Sequence, residues 1–244
     1  MSPPGRRLPW DSQFFGFTVG QVVGGTLDLP RSRAILDWCT AEEVTLLYFL
    51  ADDDVSSWAV AAEAGFRAVD LRVELVLDRA WPRLPAAVPL APLVLREATE
   101  GDLGELLPIA ASVHTDSRFF ADPLVPRRQA QDLFRLWLRR SVEHAIADVV
   151  FVADLEGQAA GYLTATLADG AGRIGLVGVG EGARGRGIGL AMVQHALAWF
   201  AAGGAREVSV VTQGRNILAQ RVYQRCGFLT NAVRVWFHRW GRQP

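Results

Sequence analysis

The sequence predicts an α/β fold with a mixed sheet, divided into two parts by a proline-rich segment. Strand-like and helix-like stretches alternate along the 244 residues, and half of the residues are apolar, which is enough for a sizeable core. Four prolines fall within residues 80–93. Because proline disfavours helices and central strands, this stretch is typical of a connection. We therefore predict domains at 1–80 and 94–244, joined by a linker at 81–93.

The N-terminal part reads as β-α-β-α-β. The expected strands are 17–24, 44–50 and 67–78, and the expected helices are 31–43 and 52–64. The same order of elements returns at the end of the chain. AEAGFRAVDLRVEL (62–75) also resembles QRCGFLTNAVRVWF (224–237), since in both a helix closes on Gly-Phe before a strand. These similarities predict an internal duplication.

The C-terminal part begins with a strand at 94–99 and a helix at 100–114. A second helix at 126–144 follows from apolar residues at 133, 134, 137, 138 and 142. Three strands are expected within 149–179, and then a helix at about 187–202. Strand 207–213, helix 216–226 and strand 232–240 complete the predicted mixed sheet.

Composition argues against several classes of function. The net charge is −1, so a nucleic-acid partner is not expected, and all 25 basic residues are arginine. Cys39 and Cys226 lie too far apart for a metal motif, so no metal is expected. No signal-like start and no run of about 18 apolar residues is found, so we expect a cytoplasmic protein without a membrane segment.

The segment GEGARGRGIG (180–189) gathers five glycines and two arginines between a strand and a helix. Residues 178–183 formally fit a dinucleotide fingerprint, but they come too late in the chain for that fold. A Walker loop requires lysine, which the chain lacks. The remaining interpretation is an R-x-x-G-x-G loop at 184–189. Its backbone N–H groups, together with the helix N-terminus, would hold a pyrophosphate.

At this point LVGVGEGARGRGIGLAMVQHAL (176–197) resembles the acetyl-coenzyme A motif of the GNAT superfamily of N-acetyltransferases, although Gly180 to Gly182 replace the family's usual proline. The resemblance covers about 93–240 and implies a GNAT acyltransferase fold there, preceded by a smaller domain like a partial GNAT half. It also implies acetyl-CoA as co-substrate. The residues expected to bind it are Val177, Gly178, Val179, Arg184, Gly185, Arg186, Gly187, Ile188, Gly189, Asn216 and Tyr223.

A second signature, Asn216 to Phe228, carries the chemistry that the resemblance implies. Asn216 and Tyr223 are seven residues apart and share one helix face. In the family this tyrosine lies near the thioester sulfur, so Tyr223 is the expected catalytic acid, the alternative being a core aromatic. With unperturbed pKa values, proton transfer from tyrosine to a thiolate is uphill by about 2 kcal/mol. The base stays open among His114, Asp116, Glu181 and water.

A narrower resemblance extends over almost the whole chain. Residues 10–17, 116–142 and 232–240 are similar to the TDP-fucosamine acetyltransferase group, which acts in polysaccharide biosynthesis. This implies a nucleotide-linked (TDP or UDP) amino-deoxy sugar as acceptor and a possible homodimer. Arg118 and Phe119 would bind this substrate. Two alternatives are a GNAT enzyme for another small amine or a peptide N-terminus, and a non-catalytic acyl-CoA-binding protein.

Overall fold

The computed structural model describes residues 3–77 and 92–241, which form ten strands and eight α-helices. The predicted α/β class with mixed sheet pairing is confirmed. Every strand and helix expected from the sequence is present. Most of the predicted linker, 81–91, lies outside the described residues.

The chain divides into two compact units. One holds Met1–Arg72, Ser117–Val125 and Val233–Pro244, and the other holds Val73–Asp116 and Pro126–Ala232. A short internal segment and the end of the chain thus belong to the same unit as the N-terminal part. The boundaries 1–80, 81–93 and 94–244 themselves stay a prediction.

The first unit contains three elements that the sequence did not predict. These are β1 (Gly5–Arg7), α1 (Pro9–Phe15) and α5 (Arg118–Ala121). Its other elements are β2 (Val19–Val22), α2 (Leu29–Ala41), β3 (Leu46–Ala51), α3 (Val55–Glu63), the start of β4 (Arg67–Leu77) and most of β10 (Leu229–Trp240). The strand order is β1-β2-β3-β10-β4, with β2 and β3 parallel. The core includes Ile35, Phe49, Phe66 and Phe237.

The N-termini of the two main helices of this unit are capped by aspartates. The Asp28 side chain accepts a hydrogen bond from Arg31 N–H at 2.8 Å, and Asp54 accepts one from Ser57 N–H at 3.1 Å. Such caps satisfy backbone donors that a helix leaves unpaired at its start, and each is worth about 1 kcal/mol.

The second unit contains most of the elements that were predicted for the C-terminal part of the chain. Its elements are β5 (Leu93–Glu97), α4 (Leu103–Val113), α6 (Arg127–Val142), β6 (Val149–Leu155), β7 (Gln158–Ala168), β8 (Ala171–Val179), α7 (Ile188–Ala202), β9 (Glu207–Gln213) and α8 (Ile217–Arg225). The strand order is β4-β9-β8-β7-β6-β5; the β8–β9 pair is parallel, whereas β5–β6, β6–β7 and β7–β8 are antiparallel. The core includes Phe151, Leu163, Met192, Leu197 and Phe200.

Two tight hairpins set the register of this sheet. Glu156-Gly157 joins β6 to β7 and Asp169-Gly170 joins β7 to β8, and all four residues have positive φ. Two-residue turns with both central residues at positive φ match the right-handed twist of a hairpin. The turns therefore fix which residues of β7 and β8 face each other, and so they position the site described next.

Candidate active site

The parallel pair β8–β9 opens halfway along its length. Pairing runs from Ala171 with Glu207 to Ile174 with Val210, yet β8 continues to Val179 and β9 to Gln213. Beyond Ile174, the edge of β8 that faces away from β7 has no strand partner among the described residues. Backbone N–H and C=O groups left in this way can pair with an extended ligand.

A β-bulge in β8 marks the point where the strands separate. The register with β7 shifts between Leu163 and Ala165, so that Thr164 faces both Gly175 and Leu176. The buried Thr164 hydroxyl accepts a hydrogen bond from Leu176 N–H at 2.8 Å. A Cβ on Gly175 would stand 2.5 Å from the same hydroxyl oxygen. The bulge therefore requires a small residue in β8 and a hydroxyl in β7.

After the bulge, the two faces of β8 have different neighbours. Val177 and Val179 pack against the core cluster that includes α7. Gly178 faces the other way, where a Cβ would stand 2.8 Å from Tyr162 Cε1 and 2.9 Å from Val113 Cγ2. Of the predicted coenzyme residues, Val177, Gly178 and Val179 thus all lie on the open part of β8.

The predicted loop follows β8 directly, and two of its glycines adopt backbone conformations that favour glycine. Gly185 has φ 76° and Gly187 has φ 80°, in the left-handed region that favours glycine. Arg184, Gly185, Arg186 and Gly187 are all exposed. The Arg184 side chain turns back and donates from Nε to the Val179 carbonyl at 3.3 Å.

Several consecutive backbone donors of this loop have no acceptor among the described residues. The N–H groups of Gly185, Arg186 and Gly187 make no backbone hydrogen bond. Helix α7 begins at Ile188 without a side-chain cap, so the first amides of the helix are unpaired too. Six N–H groups over 185–190 are therefore available to bind an anionic ligand, and the helix dipole adds positive potential there. The diphosphate of coenzyme A fits this arrangement.

Helix α8 carries the second signature and packs against α7. Asn216 is its N-cap, and its Oδ1 accepts a hydrogen bond from Ala219 N–H at 3.1 Å. The side-chain amide N–H₂ of Asn216 has no partner among the described residues. Tyr223 is buried and packs edge-to-face on Phe228. Its hydroxyl also has no hydrogen-bond partner among the described residues, so it is available to a ligand.

The chemistry of Tyr223 follows from its burial. Burial, with a further contribution from Cys226, raises the pKa of the Tyr223 hydroxyl above its ordinary value. The hydroxyl therefore stays protonated at neutral pH, and complete proton transfer to a thiolate is less favourable than unperturbed values suggest. What the hydroxyl offers most readily is a strong hydrogen bond to a developing negative charge.

His114, one of the candidate bases, is paired with a residue that sequence analysis missed. Its Nε2 lies 2.7 Å from the hydroxyl oxygen of Tyr162, which is fully buried. The imidazole stacks on Phe134, with ring centroids 4.4 Å apart. Burial lowers the pKa of His114 to about 4. Of the other candidates, Asp116 is half-buried and Glu181 is exposed in the short turn before the loop.

The predicted substrate residues Arg118 and Phe119 lie in the first unit. The Arg118 guanidinium stacks on Tyr48, Phe119 and Trp236, with 3.9 to 4.3 Å between its central carbon and the ring centroids. It also lies 2.8 Å from His238 Nε2. Sequence analysis missed this cluster, because its members are distant along the chain. Substrate binding by Arg118 and Phe119 stays a prediction.

No helix among the described residues has the length and apolarity to span a bilayer. Within the same residues, no three His, Cys, Asp or Glu side chains form a group able to hold a metal ion.

Comparison with known proteins agrees with the fold. A curated relative, the spore coat polysaccharide biosynthesis protein SpsD of Bacillus subtilis (strain 168), is 29% identical over 140 residues. The match covers 57% of this chain and 48% of the relative, so it spans about half of that protein's length.

Two solved structures share the fold over almost the whole chain. A GCN5-related N-acetyltransferase from Sphaerobacter thermophilus has a TM-score of 0.68 at 19% identity, covering 97% of this chain and 76% of that chain. A tandem GNAT protein from the clavulanic acid biosynthesis pathway has a TM-score of 0.61 at 17% identity, covering 93% and 76%.

The family model itself matches the part of the chain that holds the site. The model of the acetyltransferase (GNAT) family matches residues 113–228, which include the open strand β8, the loop and Tyr223. Residues 113–228 therefore form the part of the chain that matches the GNAT acetyltransferase family.

Proposed function

We propose that the chain is an acetyl-CoA-dependent N-acetyltransferase that acts on the amine of a nucleotide-linked amino-deoxy sugar. The observation that carries the proposal is the run of unpaired backbone N–H groups over 185–190, directly after the open edge of β8. Together they form a site for an extended ligand with a diphosphate, as in coenzyme A.

In this proposal, different groups of the chain bind the coenzyme, polarise the thioester and stabilise the leaving thiolate. The loop amides hold the diphosphate, and the open edge of β8 hydrogen-bonds the pantetheine amides. A backbone N–H near Val177 to Val179 polarises the thioester carbonyl. The neutral amine attacks the acetyl carbon, a C–N bond forms, and the C–S bond breaks. Tyr223 donates a hydrogen bond to the departing sulfur, and the amine proton leaves to solvent.

The sugar part of the proposal is supported by a different observation. The curated relative is named for polysaccharide biosynthesis, a process that consumes activated sugars. Arg118 and Phe119 would contact the nucleotide sugar. Arg118 retains partial exposure within its aromatic stack, and a guanidinium suits a diphosphate because it donates two parallel hydrogen bonds.

The test is a thiol-release assay with acetyl-CoA and a panel of acceptors. The panel holds TDP- and UDP-linked amino sugars, free amino sugars, polyamines, aminoglycosides and a peptide with a free N-terminus. We expect turnover with a nucleotide-linked amino sugar. Turnover confined to another amine would refute the sugar assignment and leave the acetyltransferase. Calorimetry that detects no acetyl-CoA uptake at millimolar concentration would refute both.

A further inference from the structure

The pair of Tyr162 and His114 lies on the face of β8 opposite to α7. A Cβ added to Gly178 would stand 2.8 Å from the Tyr162 ring and 2.9 Å from Val113, the residue before His114. If the coenzyme approaches the open strand from the α7 side, an acceptor meets the thioester from the face that carries Val113 and His114. This placement rests on the proposed function.

The direction of the Tyr162–His114 hydrogen bond follows from burial. The Tyr162 hydroxyl is inaccessible to solvent, and His114 Nε2 is its one hydrogen-bond partner among the described residues. A buried hydroxyl hydrogen without an acceptor is costly, so the hydroxyl donates and Nε2 accepts. An imidazole that accepts at Nε2 carries its hydrogen on Nδ1. Because burial also lowers the pKa of His114, the ring is neutral at pH 7.

The Nδ1–H group of His114 has no partner in the described part of the chain. The residue is half-buried, and Nδ1 is not among the fully buried atoms that lack a partner, so this nitrogen retains some exposure to solvent. Stacking on Phe134, with an interplanar angle of 20°, fixes the plane of the ring. Tyr162 and Phe134 thus hold the imidazole in position, and Nδ1–H is its one donor without a partner in the described part of the chain.

We infer that the Nδ1–H of His114 is a fixed hydrogen-bond donor that binds an uncharged oxygen of the acceptor, a hydroxyl or ether beside the reacting amine. His114 therefore selects the acceptor and does not remove the amine proton, because its second nitrogen is already engaged by Tyr162. Tyr162 is a positioning residue, which acts by fixing the tautomer of His114.

The first test needs no substrate. In protein with ¹⁵N-labelled histidine, NMR distinguishes the two neutral tautomers and the imidazolium. We expect the Nδ1–H tautomer for His114 at pH 7, unchanged between pH 6 and 8. In Tyr162→Phe we expect a mixture of tautomers. A wild-type His114 that carries hydrogen on Nε2, or that becomes protonated in this pH range, would overturn the inference.

The second test separates donor from base by kinetics, using whichever acceptor turns over. Loss of one neutral hydrogen bond in His114→Leu should raise KM for the acceptor about 10-fold, with KM for acetyl-CoA unchanged. His114→Asn, whose side-chain amide can donate near the Nδ1 position, should recover most of this loss. His144→Leu, which removes an exposed histidine after α6, is the matched control.

The outcomes distinguish this inference from the proposed function. A general base would show a different result, a fall in kcat of about 10²–10⁴ in His114→Leu together with loss of the acidic limb of the pH profile. That result, or an unchanged KM for the acceptor, overturns the inference while leaving the acetyltransferase. If no acceptor on the panel turns over, the proposed function fails and the acceptor-binding role of His114 fails with it, whereas the NMR result still decides the direction of the Tyr162–His114 hydrogen bond.

Discussion

The hydroxyl of Thr164 and the backbone N–H of Leu176 are joined by a 2.8 Å hydrogen bond across the bulge of β8. This contact replaces the ladder hydrogen bond that the register shift removes, and it lies at the start of the open edge of the strand. A side chain of one strand thus stabilises the irregular backbone on which the proposed chemistry depends.

Thr164→Val keeps the shape of the side chain and removes the acceptor. We expect the free energy of unfolding to fall by about 1–3 kcal/mol, because Leu176 N–H is left without a partner. We also expect kcat/KM for acetyl-CoA to fall, since the open edge of β8 is no longer held in place. Urea denaturation and steady-state kinetics measure the two effects.

Thr164→Ser is the matched control, because it retains the hydroxyl. It should keep the kinetic constants near those of the wild type and lose only the packing of one methyl group. Equal kinetic losses in the Val and Ser variants would show that packing, and not the hydrogen bond, maintains the bulge.

Tyr223→Phe should lower kcat by about 10²–10⁴ and leave coenzyme affinity unchanged. The hydroxyl has no partner in the described part of the chain, so its removal breaks no internal contact, and Phe228 still packs on the ring. Thiol-release kinetics and calorimetry with coenzyme A separate the two quantities. Wild-type turnover in this variant would remove Tyr223 from the mechanism.

Gly187→Ala should weaken coenzyme binding about 10-fold. Gly187 has φ 80° at the start of α7, where a Cβ costs about 1 kcal/mol in backbone strain and so disfavours the loop conformation that presents the unpaired amides. Isothermal calorimetry with coenzyme A measures the change.

Gly182→Ala is the control for this loop. A Cβ there would meet nothing within 4 Å, and Gly182 lacks a positive φ. We expect its coenzyme affinity to match the wild type. If both variants bind coenzyme A equally well, the backbone conformation at Gly187 does not contribute to coenzyme binding.

The parts of the site that sequence analysis predicted are those that local patterns determine. The glycines of 184–189 and the helix that follows are encoded within a dozen residues, and the capping asparagine and Tyr223 are encoded within eight. Positive φ at Gly185 and Gly187 is the physical reason why that pattern could be recognised.

The parts that sequence analysis missed depend on strand register. Tyr162 faces Gly178 and bonds His114, 48 residues away, only because β7 and β8 pair in one register that shifts at Thr164. A single-residue slip would turn Tyr162 to the other face. The Arg118 cluster has the same origin, since His238 is 120 residues away and comes from the last strand.

The pairing of His238 with Asp122 predicts how stability of the first unit depends on pH. Asp122 accepts hydrogen bonds from His238 Nδ1 at 2.6 Å and from Trp240 Nε1 at 2.9 Å. Burial opposes the charge of Asp122, but these bonds hold its pKa below the ordinary value. Because Arg118 can only donate, His238 accepts from it at Nε2 and is therefore neutral.

Acidification should destabilise the protein through His238. Burial lowers the pKa of His238 to about 4, whereas an unfolded chain takes up this proton near pH 6.5. As the pH falls from 7 to 4.5, the unfolded state gains a proton that the folded state excludes. The free energy of unfolding should therefore fall by about 2–3 kcal/mol through this residue, and the loss should reverse when the pH is raised.

Urea denaturation at pH 7.0 and 4.5 tests this expectation against two variants. His238→Gln can donate to Asp122 and accept from Arg118 without titrating, so its stability should change less with pH than that of the wild type. His144→Gln, which alters an exposed histidine, should retain the wild-type pH dependence. The same pH dependence in all three proteins would show that His238 is not excluded from protonation by the fold, and that the acid sensitivity arises from carboxylates.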